Sequence, residues 1–133
     1  MAKFIKFNVV NSAATSPLGP RESILVNIDD ITTVAATGLT GANAKTVVIG
    51  LTGRAAQAAA AANAGGSRLT LTVSTSTSAA VNPTIATGVA NPLVAAVRSA
   101  MTANPGGVVA TAQLGVDQAA TPAQMYFRTA TYV

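Results

Sequence analysis

Hydrophobic and polar positions alternate along several short stretches of this chain. In residues 3–10, Ile5, Phe7 and Val9 fall on one side of a period-2 pattern and Lys6 and Asn8 on the other, which predicts a half-buried strand. A second strand starts near Glu22, where Ile24, Val26 and Ile28 share a face with Ser23 and Asn27 opposite. Asp29-Asp30 interrupts the pattern, and Ile31 to Thr37 resumes it after a turn or a bulge. Val47, Ile49 and Leu51 mark a strand over 46–51. In "RLTLTVSTSTS" (68–78), Leu69, Leu71 and Val73 alternate with Thr70, Thr72 and Ser74, and the strand ends near Ser74 as the hydroxyl run continues into a polar loop. Val108 to Leu114 and Gln124 to Val133 read as the last two strands, with Met125 and Phe127 opposing Tyr126, Arg128 and Tyr132.

Helical spacing occurs once with conviction. Over "NPLVAAVRSAMTAN" (91–104), Leu93, Val94, Val97 and Met101 form a core-facing stripe, and Ala96 and Ala100 let the helix lie close. Asn91 is a good N-cap, Pro92 suits the first helical position, and Asn104-Pro105-Gly106-Gly107 stops the run. The segment 53–67, "GRAAQAAAAANAGGS", is different. Alanine favours a helix and Gly65-Gly66 would end it, yet no large apolar side chain anchors it to a core. So short a helix is marginal alone in water, so the segment is either a loop between two strands or a helix ordered by a neighbouring subunit. The prolines and small polar residues of 11–21 and the turn-rich "GLTGANAK" (38–45) are connections.

Strands, one helix about residues 92–104, then two strands make an α+β fold: mainly antiparallel β-sheet, or a small sandwich, with that helix packed on it. At 133 residues the chain suits a single domain over 1–133, with the low-complexity Ala-rich stretch at 53–67 as an insertion. A strand at either terminus offers an edge for pairing with another chain.

Composition changes the picture most at the surface. Charged residues are 9% of the chain, against about 25% in ordinary domains. The outside must then be largely Thr, Ser, Asn, Gln and Ala. That is the surface of a subunit partly covered by others, or of a monomer with a neutral hydroxyl coat. The net charge of +4 reflects only four acids: Glu22, Asp29, Asp30 and Asp117. The eight Lys and Arg residues are scattered and not interleaved with stacking aromatics, so no specific nucleic-acid site is expected. No apolar stretch is long enough to span a bilayer, and Lys6 and Asn8 fall where the apolar core of a signal peptide should run.

With neither Cys nor His, disulfides, the usual zinc sites and Ser-His or Cys-His nucleophile pairs cannot be built within the chain. Asp29-Asp30 can supply oxygens to Ca²⁺, but the further ligands of an EF-hand do not follow, and a turn with Asp side chains capping backbone amides needs no extra partner. Glu22 and Asp117 could form a glycosidase pair only if the fold brought them together, and salt-bridged or solvated positions are the simpler reading. "GLTG", "GGS" and "PGG" lack the spacing of a phosphate-binding loop, and no Ser-x-x-Lys occurs. No cofactor is expected. The candidate contact residues are Tyr126, Arg128 and Tyr132, whose shared face would combine area with polar tips, together with the hydroxyls of Thr70 and Thr72. Ordinary packing explains the Tyr-Arg-Tyr stripe equally well.

Three stretches, "ILVNIDDITTVAAT" (24–37), "RLTLTVSTS" (68–76) and "AVRSAMTANPGGVV" (96–109), resemble in style the small, Cys-free virion-associated proteins of marine tailed phages, such as those infecting cyanobacteria. The resemblance implies a non-enzymatic capsid-surface decoration or cement protein, assembled in the host cytoplasm and located in the virion. Its partners would be further copies of the chain, a trimer being the natural form, and a major capsid protein. It carries over no functional residue. A tail, fibre or filament subunit and a glycan- or surface-binding module are the alternatives.

Overall fold

In the computed structural model, which describes residues 3–10, 23–37, 45–62, 67–76, 81–85, 92–103 and 108–132, the alternating segments are strands and both Ala-bearing segments are helices. In chain order these are β1 (Phe4–Asn8), β2 (Ser23–Asn27), a 3-10 turn (Ile28–Asp30), β3 (Ile31–Thr37), β4 (Lys45–Leu51), α1 (Gly53–Ala62), β5 (Arg68–Ser74), α2 (Pro92–Thr102), β6 (Val109–Thr111) and β7 (Tyr126–Tyr132). One sheet has the order β2-β1-β6 and the other β3-β4-β5-β7. Every pairing within them is antiparallel except β1 with β6. The chain is the expected small α+β domain of mostly antiparallel sheet with a helix packed on it.

Helix α2 lies against β3 and β4 of one sheet and β1 and β6 of the other. Leu93, Val97 and Ala100 are buried and Ala96 and Met101 partly so, as the three-four spacing requires. The core runs between sheets and helices: Ile5, Phe7 and Val9 of β1 and its end, Val47, Ile49 and Leu51 of β4, Leu69, Leu71 and Val73 of β5, and Phe127 and Ala130 of β7 join one buried cluster. Burying each of these larger side chains contributes about 1.5–3 kcal/mol.

The Ala-rich segment is a helix over 53–62, ordered by its own domain. It rests on the 3-10 turn, β5 and β7, with Ala59 fully buried and Ala56 partly buried. Alanine's small size substitutes for a large anchor here, because it lets the helix backbone approach the sheet closely. The helix starts at Gly53, whose φ of +60° and whose approach to the Asp30 carboxylate both demand glycine: a Cβ there would stand 2.8 Å from Asp30 Oδ1.

Of the two terminal strands, β7 is an edge of its sheet and β1 is not. β1 is central in its sheet, and the start of β7 is joined to the end of β1 by a parallel bridge between Val9 and Phe127. Among the described residues the edge strands of the two sheets are β2, β6, β3 and β7. β6 is also shorter than the 108–114 alternation suggests, because the chain leaves the sheet after Thr111. The proposed cap Asn91 and stop 104–107 of α2 lie outside the described residues. Among those described, no helix is long and apolar enough to cross a membrane.

Candidate functional site

The outer face of the four-stranded sheet is built in rows. Thr46 of β4 pairs with Thr72 of β5, which pairs with Thr129 of β7. In the next row Val48 pairs with Thr70, which pairs with Thr131. β3 extends both rows, with Thr37 opposite Thr46 and Ala35 opposite Val48. A third row sets Gly50 between Thr33 and Arg68. Neighbouring strands lie about 4.8 Å apart, so the hydroxyl and methyl groups of Thr70, Thr72, Thr129 and Thr131 form a closely spaced lattice. All four are half-buried by one another and their neighbours. Cross-strand pairs of this kind contribute about 0.2–1 kcal/mol each. Arg68, at the margin, is the ionisable member of the three rows.

A local packing feature completes this face. β3 carries a bulge between Ile31 and Thr33. A Cβ on Gly50 would collide with Thr33 Oγ1 and stand 2.8 Å from Thr32 Oγ1. The missing side chain at Gly50 is what lets the two bulge threonines lie down on the sheet.

The stripe Tyr126, Arg128, Tyr132 is not a single face. β7 has its own bulge: Thr72 pairs with Thr129 and Val73 with Phe127, leaving Arg128 as the extra residue. Parity therefore reverses. Before the bulge Tyr126 stands opposite Ser74; after it, odd-numbered Thr129 and Thr131 take the outer rows and Tyr132 pairs in register with Leu69. An inserted residue shifts every later position to the other side, and simple alternation cannot show it. Arg128 is partly buried, and its Nε has no hydrogen-bond partner among the described residues.

The connection from β6 to β7 is a second organised region. Val116 and Gln124 form an antiparallel bridge, Asp117 N donates to Ala123 O (2.8 Å) and Met125 N to Gly115 O (3.0 Å), so 115–125 is a hairpin. Asp117 is its staple. The buried carboxylate accepts from Ala123 N at 2.9 Å and Ala119 N at 3.5 Å through Oδ1, and from Thr84 N at 3.1 Å through Oδ2. The Ala123 N–H is the largest influence holding this carboxyl below its ordinary value of 3.8; burial opposes it, and the Thr84 and Ala119 N–H groups add to it. Among the described residues Asp117 is therefore satisfied by backbone amides and is largely withdrawn from solvent. Glu22, its candidate partner, lies outside the described residues. On the hairpin, Gln124 Nε2 donates towards Leu114 O (2.6 Å), Met125 O (3.0 Å) and Gly115 O (3.1 Å).

Five further polar residues have structural roles. Ser74 is buried, and its Oγ accepts from Ser76 N (3.1 Å) and Val81 N (3.0 Å), tying down the loop after β5. Lys45 is the buried first residue of β4, opposite Val73, and not part of the preceding turn. Asp29 and Asp30 form the 3-10 turn, but Asn27 supplies the cap, its Oδ1 accepting from Asp29 N at 2.9 Å. Among the described residues no three His, Cys, Asp or Glu side chains gather as a metal site.

The outer face of the three-stranded sheet has a different character. Leu25, 56% exposed, pairs with Lys6, and Phe4 pairs with Val109, 37% exposed. Nothing in the alternation of Ile24, Val26 and Ile28 places Leu25 beside Phe4 and Val109. No protein-family model matches the chain, and neither a curated protein nor a solved structure is recognisably similar to it.

Proposed function

We propose that this chain is a non-catalytic structural subunit of a virion, a capsid-surface decoration or cement protein that binds copies of itself and a major capsid protein. The observation that supports it is the row-built outer face of the four-stranded sheet, with Thr46–Thr72–Thr129 and Val48–Thr70–Thr131 across three strands. Covering such a face is inexpensive. A buried ion costs several kcal/mol unless well paired, whereas a hydroxyl costs about 1–3 kcal/mol and can find a partner hydroxyl or carbonyl. Threonine is not a strong anchor in a single contact. A face of this kind gains its affinity by repetition around symmetry axes, where many weak contacts act together.

Sedimentation of the purified chain over a range of concentrations, and cryo-electron microscopy of particles that contain it, test the reading. The expected result is a concentration-dependent oligomer, and density for the subunit on the shell with the threonine face covered. A monomer at every concentration that occupies no position on a shell overturns it. A tail, fibre or filament subunit is the second reading. It is favoured by β3, which among the described residues is paired on one side only and can propagate a sheet edge to edge. Tubes or fibres formed by the purified chain would select it.

A further inference from the structure

Strand β1 changes partner along one edge. Backbone groups of successive strand residues address alternate edges, so Phe4, Lys6 and Val10 address the same one. Phe4 N donates to Val108 O (3.0 Å) and Lys6 O accepts from Ala112 N (2.9 Å), on the β6 side, whereas Val10 N donates to Phe127 O (2.9 Å), in β7. Between these contacts the chain leaves the sheet, forms the 115–125 hairpin and returns. The departing and returning segments part beside Asn8, and a cleft of about 270 Å³ opens in the fork. Ligand crevices arise for the same geometric reason where strands diverge at the switch points of open α/β sheets.

The cleft has an apolar floor and an amide rim. Leu114 and Met125 are buried beneath it, and Asn8, Gln113, Gln124 and Tyr126 border it. Among the described lining residues there is no carboxylate, ammonium or guanidinium. Its walls are set in advance. Phe7 and Phe127 pack edge to face at 5.5 Å beside it, Asp117 staples the hairpin, and the three carbonyls around Gln124 Nε2 orient that amide. The exposed Gln113 amide offers a donor and an acceptor side by side, which matches adjacent hydroxyls of a sugar ring, while Gln124, whose Nε2 hydrogens are taken by backbone carbonyls, offers its Oε1 as an acceptor. A tyrosine beside an apolar floor suits the ring's C–H face. The volume lies just under the roughly 300–1,000 Å³ of sites for drug-sized ligands, which leaves room for one or two rings.

The geometry points to a neutral-saccharide binding site in the fork between β6 and β7, bordered by Asn8, Gln113, Gln124 and Tyr126. This inference does not rest on the assembly reading, whose threonine rows do not line the cleft.

The test is a ¹⁵N-resolved NMR titration of the intact chain with maltotriose, cellotriose, mannotriose, galactobiose and chitotriose, with glucuronate and sialyllactose as charged controls. At least one neutral sugar should shift the amides of Asn8, Gln113, Gln124 and Tyr126, with a Kd on the order of 1 mM for so small a contact. Tyr126→Ala and Gln113→Ala should each weaken it about tenfold; Gln113 is exposed and Tyr126 half-buried, and the spectra of both variants should otherwise remain native. Thr72→Lys should bind as the parent does, whatever happens to its self-association. No shift with any neutral sugar, shifts confined to another surface, undiminished binding by both variants, or preference for the charged sugars would each overturn the inference.

Discussion

Thr72 and Val73 are neighbours in the chain and belong to different proteins in effect. Val73 lies in the shared core with Leu69, Leu71, Val47 and Phe127, whereas Thr72 lies in a row of threonines on the outside of the same sheet. The inner face is irregular in size and holds the fold together by fit. On the outer face two rows of Thr and Val, alike in size, repeat across β4, β5 and β7. Close packing inside makes every lost methylene felt. Outside, a β-branched hydroxyl satisfies the strand equally well at each position and leaves the pattern free to serve contact. Core packing and the proposed contact face therefore fall on alternate residues of the same strands.

Substitutions on the two faces should separate accordingly. Leu71→Ala, in the middle of the inner face, should lower unfolding free energy by about 2–5 kcal/mol in urea denaturation. A loss under about 1 kcal/mol would mean that the inner face is not the core. Gly50→Val tests where the outer face stops being tolerant, since Thr32 and Thr33 already occupy the space; a loss of about 1–3 kcal/mol is expected.

Asp117→Asn removes a charge that three backbone N–H groups address, and a cost of about 1–3 kcal/mol at neutral pH is expected. Its pH dependence has a definite sign. The folded carboxyl titrates below its ordinary 3.8, so its contribution is fully present above that value and is lost as pH falls through it towards the folded pKa. Denaturation curves of parent and variant should converge below about pH 4 and stay parallel above about pH 5. Thr72→Lys should change stability least, by about 0.5 kcal/mol or less, while abolishing self-association in sedimentation. Equal association by this variant would remove the threonine face from the interface.

Much of the fold was legible because its cues are local. The alternations around Ile5, Val47 and Leu69, and the Leu93–Val97–Ala100 spacing, report burial directly, since side-chain direction repeats every two residues in a strand and every 3.6 in a helix. The outward positions of Thr70 and Thr72 came from the same rule. The rule failed where register is set by a partner strand. Nothing in "MYFRTATY" announces that Arg128 is an extra residue, because a bulge is a mismatch between two strands and not a property of one. The threonine rows were hidden for the same reason: Thr46, Thr72 and Thr129 come from three distant segments. Ser74 reads as an outward strand residue and Asp117 as a salt-bridged or solvated carboxylate, because the amides they hold, those of Thr84 and Val81 among them, lie elsewhere in the chain.

The two helices mark the same boundary. α2 carries its own anchors and could be placed from its stripe. α1 offers only alanines, and its position depends on the sheet against which Ala59 is pressed.

By itself the amino-acid sequence determined which residues alternate, which helix is amphipathic and how little charge the surface can carry, since each of these follows from side-chain chemistry at short range. Only the tertiary structure decided the register of the threonine rows, the reversal of parity in β7 and the fork beside Asn8. Those depend on backbone hydrogen bonds between remote segments, and such bonds are formed by groups that every residue but proline possesses alike.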